Sequence, residues 1–403
     1  MEQASVAACQ SEGSAVDDGL ISRAAALVPQ LRARASETEA LRQLPAATIA
    51  DLRSAGLFRA LVPRRIGGLE VGLRTFTRAV AEIGKGCGST AWVVGVVNAH
   101  HWLLGLFPPQ AQDEVFSSRP DFITAAVIGP RGKAKRIEGG FLLNGFWPFC
   151  SGSPAADWVM LGGEVTDTDG TALDEGDFLV PRSEIEIKND WDVSGLRGSG
   201  SNSVIVKDCF VPEHRYLSLV SAIKGDSPGA AAHEGDLYRS AVVPVLALAI
   251  VPGAIGIAES ALESFKQRLP GKVVSYTMKE AQLDMPTTHM QVAQAASKID
   301  AARLLMDRTT EGIADAVSKR QFMPLVTRAR CRMDCAYSVR LCLEAVELLF
   351  LAAGGSGLAS GSPIQRASRD LHAINMHGLL CLETNLEMYG RLLLALKPNS
   401  PLI

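Results

Sequence analysis

The sequence has few cysteines and a small net charge, and each of these features argues against a class of protein. Its eight cysteines form no C-x-x-C pair, so neither a zinc site nor a disulfide framework is indicated. A formal net charge of −3, without a long basic run, argues against DNA or RNA as a partner. The hydrophobic share of 47% is too high for a disordered chain. We therefore expect a folded protein with no metal site and no nucleic-acid partner.

The sequence indicates neither a secretory signal nor a membrane span. Residues 1–17 lack a basic start followed by an apolar core, and we expect a disordered lead-in there. The uncharged run 241–258 approaches the length that crosses a bilayer, but it contains Pro244, Pro252 and two glycines. A helix buried on all sides in a helical bundle explains this run better. We expect a soluble, cytoplasmic protein.

Composition divides the chain into a helical unit, a β unit and a second helical unit. Helical periodicity dominates 18–120, and short strand-like runs separated by turns such as Gly129–Gly132 fill 121–216. A loop at 217–236, rich in Gly and Ser, is a candidate mobile lid. Helical periodicity returns over 237–403. The prediction is an α+β protein, mainly α, with a central antiparallel β-barrel or sandwich.

Five segments, in order and at consistent spacing, resemble one known family. They are Gly88–Trp92 with Asn98–Trp102, Phe149–Gly152, Gly195–Ser201, Phe210–Arg215, and Pro363–Arg366 continuing through Arg369–His372 to His377. Over about 44–396 the chain resembles the acyl-CoA dehydrogenase superfold. More closely, it resembles the two-component (group D) flavin-dependent monooxygenases built on that fold. The resemblance implies an N-terminal helical domain, a central β domain and a C-terminal four-helix bundle.

The resemblance also implies a reaction. The chain is expected to be the oxygenase component, which takes reduced FMN or FAD (FMNH2 or FADH2) from a separate NAD(P)H-dependent flavin reductase. With O2, and through a C4a-hydroperoxyflavin, it would hydroxylate a small aromatic substrate. The sequence has no G-x-G-x-x-G unit for a nicotinamide, which agrees with that division of labour. The family implies a homotetramer. The alternatives are an S- or N-oxygenating member and an acyl-CoA dehydrogenase-type flavoprotein.

Three residues are implied in catalysis. Ser151 stands where the dehydrogenases have a threonine that bonds the reactive edge of the flavin ring; alternatively it only begins a turn. His100 is implied beside the substrate, where an imidazole with a pKa of about 6.5 can accept a phenol proton. His377 is implied over the ring, where it can donate a hydrogen bond to the peroxide. On a continuous helix, His372 would be offset from His377 by about 140°.

Further residues are implied in binding. The cofactor set comprises Trp92, Phe149, Cys150, Ser151, Gly152, Arg197, Gly198, Ser199, Gly354, Gly355 and Gly357. The substrate-pocket set comprises His101, Trp102, Trp147 and His372. Core packing is the alternative for the tryptophans. A tight turn at 195–200 and a helix stop at 354–357 are the alternatives for the two glycine-rich segments.

Two departures from the family patterns refine the prediction. The dehydrogenases carry a catalytic glutamate in the segment that corresponds to 373–378, and some members carry it early in the first bundle helix, here 242–250. Neither segment contains a carboxylate, which argues against α-proton abstraction. Several hydroxylases have consecutive serines where this chain has Thr124, Ala125 and Ala126. The missing hydroxyls make that wall apolar, so the predicted substrate is a hydrophobic or polycyclic phenol.

Overall fold

The N-terminal part of the chain is helical. The computed structural model describes residues 19–117 and 119–403, so the predicted lead-in at 1–17 lies outside them. The helices are α1 (19–33), α2 (Ala35–Leu41), α3 (Ala46–Ser54), α4 (Leu73–Gly86), α5 (Gly88–Leu104) and α6 (Pro109–Phe116). Helix α5 is buried along its whole length. It contains no Asp, Glu, Lys or Arg, a composition typical of a core helix.

The central part of the chain forms one seven-stranded sheet. Its strands are β1 (Thr124–Ile137), β2 (Gly140–Cys150), β3 (Trp158–Thr166), β4 (Ala172–Pro181), β5 (Glu186–Ile187), β6 (Asn202–Pro212) and β7 (Tyr216–Ser218). Their order is β5-β6-β2-β1-β3-β4-β7. All neighbours pair antiparallel except β1 and β3, which run parallel. The sheet is therefore mixed, and the purely antiparallel part of the prediction is wrong, because the hairpins β1–β2 and β3–β4 join through their first strands.

The turn predicted at Gly129–Gly132 lies inside β1. The pairing of β1 with β3 shifts register between Val127 and Gly132, so the extra residues form a bulge and the strand continues. Gly132 is required there, because a Cβ atom would come within 2.2 Å of the Trp147 ring. Gly and Pro therefore mark an irregularity within a strand at this position, and the strand does not end.

The C-terminal part is again helical. It contains α7 (Leu219–Ile223), α8 (Val242–Ala249), α9 (Pro252–Gln267), α10 (Pro286–Ser318), α11 (Leu325–Ala353), α12 (Pro363–Asn375) and α13 (Leu382–Leu393). Two stretches of the described chain are long and apolar enough to cross a membrane by composition alone, Val242–Gln267 and Leu325–Leu358. In the first, 94% of the most apolar window is buried inside the protein, as core helices are. The uncharged run is therefore a buried helix pair, broken just before Pro252.

Two large hydrophobic cores and a small cluster of Ala329, Met388 and Ile403 hold the elements together. The larger core runs without interruption from the N-terminal helices into the C-terminal helices, and the smaller one fills the β unit. Glycines bring α4 and α9 into backbone contact: a Cβ at Gly84 would lie 2.6 Å from the Gly253 oxygen, and one at Gly256 only 1.9 Å from the Ala81 oxygen. The two helical parts therefore form one packed body.

The segment predicted as a lid, 217–236, is attached to the body at several points. It contains α7 and a short 3-10 turn, Ala230–Ala232. The His233 ring bonds the Gly105 carbonyl at the end of α5, at 2.9 Å. Just beyond the segment, the Tyr238 hydroxyl donates to the Leu61 carbonyl at 2.8 Å. Movement of this segment stays a prediction.

Candidate functional site

The site begins with the hydroxyl of Ser151, at the end of β2. Trp92 on α5 donates its indole N–H to Ser151 Oγ at 3.0 Å. Phe149 and Gly152 have positive φ values of 67° and 78°, so the chain turns sharply on both sides of the serine. The turn holds the Ser151 hydroxyl against α5, between the sheet and the helices.

His100 lies two turns after Trp92 on α5. Its Nδ1 is 2.8 Å from the Thr124 carbonyl oxygen at the start of β1. A carbonyl only accepts, so Nδ1 carries the hydrogen and Nε2 keeps a free lone pair. Burial lowers the pKa of His100 to about 4, well below the value of about 6.5 expected from the sequence. At neutral pH His100 is an uncharged imidazole with Nε2 as acceptor.

His377 has the opposite tautomer. Helix α12 ends at Asn375, so His377 lies beyond it, and the helical offset expected between His372 and His377 does not apply. Its Nδ1 accepts the Leu379 N–H at 3.3 Å, capping the short turn Gly378–Leu380, so the hydrogen of the neutral ring is on Nε2. Burial, followed by the charge of Arg332, lowers the pKa of His377 to about 4. His377 is therefore a neutral hydrogen-bond donor.

Trp92 joins these groups into one cluster. Its ring meets the His377 ring edge-on, with centroids 5.5 Å apart, while its N–H bonds Ser151. The proximity of His377 also contributes to the lowered pKa of His100. The Trp92 indole thus contacts both Ser151 and His377, and His377 lies close enough to His100 to affect its pKa.

A stripe of small residual exposure runs along α5 through these residues. On α5, Trp92, Val96 and His100 are 6–7% exposed, whereas Val93, Val94, Val97, Asn98 and Ala99 between them are 0–3% exposed. Leu246 on α8 and Ile250, just after the end of α8, keep 7% and 6%. A period of four residues places the three α5 members on one face of the helix, which is less completely covered than its other faces.

Two residues expected in the substrate pocket face other parts of the core. His101 bonds the Phe58 carbonyl through Nδ1 at 2.8 Å and lies against Phe122, with ring centroids 4.7 Å apart. This is the direction about 100° from His100 that a helix imposes. Trp102 is fully buried and donates to the Leu237 carbonyl at 3.2 Å. The structure does not bring either side chain to the cluster.

The other two expected pocket residues also lie elsewhere. Trp147 is fully buried in the β-unit core and donates to the Gly162 carbonyl at 2.7 Å. His372 is exposed on α12, with Nδ1 2.9 Å from the Ser368 carbonyl and 3.7 Å from a Glu347 oxygen. His377, and not His372, is the histidine beside Trp92.

Phe149 and Cys150 differ sharply in their surroundings. The Phe149 side chain is 64% exposed and meets Trp191 edge-on at 6.1 Å, so it presents an aromatic surface. Cys150 is completely buried in the β-unit core, and this burial raises the pKa of its thiol. Phe149 can contact a planar ligand, whereas Cys150 supports the strand.

The glycine-rich loop 195–201 is tied to two helices. The Leu196 N–H donates to an Asp370 carboxylate oxygen on α12 at 2.7 Å, and the Gly198 N–H donates to Ser89 Oγ on α5 at 3.1 Å. Burial raises the pKa of Asp370 to about 6. These bonds hold the loop beside Ser151, as a binding loop for a flavin would require.

The second glycine-rich segment lies at the surface. Gly354 and Gly355 are exposed, and Gly354 has a φ of 63°. Leu358, one residue after Gly357, lines an open cleft of about 440 Å³ together with Arg197 and Arg369. Arg197 of the first segment and the residue that follows the second thus line one cleft, whereas Gly357 is buried.

Two polar groups of the site were not predicted. Ser201 Oγ lies 2.8 Å from Ser151 Oγ, and the Thr124 hydroxyl beside His100 is buried without a partner. The segment 195–201 was expected to be a tight turn, and Ser199 does lie in a 3-10 turn before Gly200, whose φ is 58°, so no strand periodicity marked Ser201. Nothing local in the sequence distinguishes the Thr124 hydroxyl.

The residues present fit a flavin. Ser151 both donates and accepts, as a ring nitrogen that changes its hydrogen on reduction requires, and Phe149 offers an exposed aromatic face. His377 adds a donor and the stripe on α5 an apolar wall. Among the described residues, no cluster of His, Cys, Asp and Glu could hold a metal ion.

Comparison with known proteins agrees with this fit. Family models for the N-terminal and C-terminal domains of acyl-CoA dehydrogenase match residues 24–116 and 248–381. These matches define the class, a protein with the acyl-CoA dehydrogenase fold.

Individual relatives narrow the class. The oxygenase subunit HsaA of a flavin-dependent monooxygenase from Mycobacterium tuberculosis is 35% identical over 378 residues, 94% of this chain and 95% of HsaA. An FADH2-dependent resorcinol hydroxylase, oxygenase component, from a Rhizobium species is 32% identical over 94% of this chain and 95% of its own length. A structure of XiaF from a Streptomyces species with FADH2 superimposes with a TM-score of 0.92 at 29% identity, covering 98% of this chain and 99% of XiaF. The chain belongs to the family of oxygenase components of flavin-dependent monooxygenases.

Proposed function

We propose that this protein is the oxygenase component of a two-component monooxygenase and hydroxylates a hydrophobic phenol. The observation that carries the proposal is the opposite hydrogen bonding of two histidines, which leaves an acceptor Nε2 on His100 and a donor Nε2–H on His377, whose ring contacts the indole that bonds Ser151. Reduced flavin, when bound, supplies the electrons that activate dioxygen. The protein's own groups then bind, orient and keep water out.

Each polar group has a defined task. With reduced flavin bound, the Ser151 hydroxyl would hydrogen-bond the reactive edge of the ring, and His377 would offer its Nε2–H as the donor toward the dioxygen. His100 Nε2 accepts a hydrogen bond from the phenol. A phenol has a pKa of about 10, far above the value of about 4 for His100. His100 therefore takes the proton only as the ring carbon is oxygenated, when the phenol becomes more acidic.

The apolar lining supports a hydrophobic substrate. Val96, Leu246, Ile250 and Ala126, each 6–7% exposed, are the apolar residues that would line a substrate gap beside His100. Such a wall excludes water, which otherwise favours loss of the activated oxygen as hydrogen peroxide. The relatives named as resorcinol hydroxylase and p-hydroxyphenylacetate 3-hydroxylase support an aromatic ring as the substrate.

The charge distribution disfavours an acyl-CoA dehydrogenase reaction. Abstraction of an α-proton needs a carboxylate base. The segments 242–250 and 373–378 contain neither Asp nor Glu. The basic atom beside the gap is His100 Nε2, which suits a phenol.

The proposal includes partners and place. A separate NAD(P)H-dependent reductase supplies the reduced flavin in the cytoplasm, and the relatives' names "oxygenase subunit" and "oxygenase component" support that division.

We also propose a homotetramer in which the Gly354–Gly357 segment meets a neighbouring subunit. Leu351 and Leu358, 75% and 70% exposed, flank that segment and support burial there. Analytical ultracentrifugation measures the oligomeric state directly.

The experiment begins with an anaerobic titration of the purified protein with reduced FMN and reduced FAD. The loaded protein is then mixed with oxygen and a panel of phenols and thioethers, and oxygenated product is measured against hydrogen peroxide. His100→Asn keeps an amide donor for the Thr124 carbonyl and lacks Nε2. We expect it to hydroxylate phenols about 10²–10⁴-fold more slowly and still to bind reduced flavin.

His101→Asn is the matched control. It makes the same substitution at the adjacent buried histidine, whose ring points to the Phe58 carbonyl, and should keep the wild-type rate within about twofold. Failure of the wild-type protein to bind either reduced flavin refutes the proposal. Oxidation of a thioether, equally fast in wild type and His100→Asn, would assign heteroatom oxygenation instead.

A further inference from the structure

Asp370 on α12 is a buried carboxylate that faces the glycine-rich loop 195–201. The residue is only 4% exposed. Its Oδ1 accepts the Leu196 N–H at 2.7 Å. Its Oδ2 lies at the start of α5, where a Cβ atom at Gly88 would come within 2.6 Å of it. Asp370 therefore fills the contact between α12, α5 and the loop, and the glycine at position 88 leaves room for it.

The backbone of Leu196 depends on this acceptor. Leu196 has a φ of 50° and a ψ of 32°, a left-handed conformation that has a steric cost for any residue with a Cβ atom. A buried N–H without an acceptor is unfavourable, so the bond to Asp370 stabilises this conformation. The preceding residue, Gly195, packs on α12 itself, because a Cβ there would lie 2.0 Å from the Arg369 carbonyl oxygen. The loop therefore rests on α12 at two consecutive residues.

Two backbone hydrogen bonds connect Leu196 to the turn that holds Ser151. The Ser199 N–H donates to the Leu196 carbonyl at 3.0 Å. The Ser199 carbonyl accepts the Gly152 N–H at 2.8 Å. Gly152 directly follows Ser151, and its φ of 78° belongs to the sharp turn after β2. A displacement of Leu196 is therefore passed on to Ser151.

The same helix also supports His377. Helix α12 ends at Asn375, two residues before His377. Ser151 bonds the Trp92 indole, and the His377 ring meets that indole edge-on. The two polar groups beside Trp92 thus share α12 as a support, one through Asp370 and the loop and the other through the chain itself.

We propose that Asp370 is a positioning residue that fixes the loop 195–201 from α12 and, through the loop, holds Ser151 in place for the flavin ring. This inference rests on the function proposed above, because the flavin is the ligand that Ser151 would meet there. Burial raises the pKa of Asp370 to about 6, so its carboxylate is charged at pH 7.5. Its bond to the Leu196 N–H is then of the stronger, charge-assisted kind.

Loss of the acceptor should loosen the loop and the turn while α12 stays folded. A hydrogen bond to a charged group corresponds to about a ten- to hundredfold change in a local equilibrium. Without it, Leu196 is free to leave its left-handed conformation, so the arrangement that holds Ser151 becomes a minor one. A ligand that binds only that fraction has an apparent Kd raised by the inverse of the fraction. We expect reduced flavin to bind Asp370→Ala about tenfold more weakly.

The test compares Asp370→Ala with a conservative variant and a matched control, all at pH 7.5. Asp370→Asn keeps an oxygen acceptor for the Leu196 N–H and removes the charge. Ser368→Ala is the control. Ser368 is also buried and lies two residues before Asp370 on α12, but its hydroxyl donates to Glu347.

Two measurements are made on each protein. Without flavin, hydrogen–deuterium exchange in Asp370→Ala should become about ten- to hundredfold faster at 195–201 and at 149–153, while α12 keeps its wild-type protection. The Kd of anaerobically reduced FMN and FAD should rise about tenfold in Asp370→Ala. It should stay within about threefold of wild type in Asp370→Asn and within about twofold in Ser368→Ala.

Unchanged exchange at 149–153, or an unchanged Kd, in folded Asp370→Ala overturns the inference while the proposed function stands. An equal rise in Kd in Asp370→Asn assigns the effect to the charge, and an equal rise in Ser368→Ala assigns it to a general loosening of α12. Either result also overturns the inference.

If Asp370→Ala does not fold, Gly195→Ala provides the same test, because its methyl group would push the loop away from the Arg369 carbonyl. The same rises in exchange and in Kd are expected, and their absence overturns the inference. A wild-type protein that binds no reduced flavin fails the proposed function itself. The exchange measurement needs no flavin and still tests the link from Asp370 to the Ser151 turn, which separates the two failures.

Discussion

His100 should keep its lone pair at pH values where an ordinary histidine is already protonated. Burial lowers its pKa to about 4. At pH 5.5 a group with a pKa of 6.5 is only about 9% neutral, whereas one with a pKa of 4 is about 97% neutral. If His100 Nε2 accepts the phenol proton, hydroxylation at pH 5.5 should be about tenfold faster than an unperturbed histidine would allow.

The assay is the pH dependence of kcat/KM for a neutral phenol, with reduced flavin and oxygen held in excess. This quantity reports the ionisation of the free protein. We expect a level profile from pH 8 to about 5.5 and a decline that begins near pH 5. A tenfold decline in kcat/KM between pH 7.5 and 5.5, with an apparent pKa near 6.5, would refute a His100 base whose pKa is lowered by burial. Circular dichroism at each pH separates loss of activity from unfolding.

Three further changes test the packing of the fold. Burial lowers the pKa of His101 to about 3, so the folded protein loses stability as the pH falls below 6.5, where the unfolded chain takes up the proton. Between pH 7 and 5, His101 should account for about 2 kcal/mol of the decrease in the free energy of unfolding, measured in urea, and His101→Asn should remove that part. An equal decrease in both proteins would contradict this. Gly256→Ala should lower the free energy of unfolding by about 2–3 kcal/mol, because its methyl group would lie 1.9 Å from the Ala81 oxygen. The control Gly390→Ala, on a helix face with open space, should leave that free energy unchanged or raise it by up to about 1 kcal/mol in the same assay. Asp370→Ala leaves a buried amide of the 195–201 loop unpaired and should lower the free energy of unfolding by about 1–3 kcal/mol; no change in the urea midpoint would count against that bond.

Much of the architecture was predictable because its signals are local. The order of helical, β and helical units follows from periodicity and turn residues, and the structure confirms it. The parallel pairing of β1 with β3 depends on which strands meet after a crossover, and no short segment records that. The bulge in β1 was mistaken for a turn because Gly129–Gly132 has the same composition in both settings.

The candidate site was predictable in part for the same reason. A helix directs the adjacent His100 and His101 to different sides, which is why His101, predicted in the substrate pocket, instead bonds the Phe58 carbonyl. Which of His372 and His377 lies at the site depends on the residue at which α12 ends. Helical periodicity in a sequence does not fix that residue to within a few positions. The lowered pKa values of both site histidines arise from burial by distant elements, and a sequence contains that information only through its fold.

The continuity of the larger core has a consequence for synthesis. The Ser260 hydroxyl on α9 donates to the Lys85 carbonyl on α4, across 175 residues of chain. The N-terminal helices therefore leave the ribosome long before the surface that covers them exists. Until α9 emerges, their apolar faces are open to chaperones or to neighbouring nascent chains. The β unit has a separate core and can fold during that interval, so it links the N-terminal helices to the C-terminal helices that are still to be made.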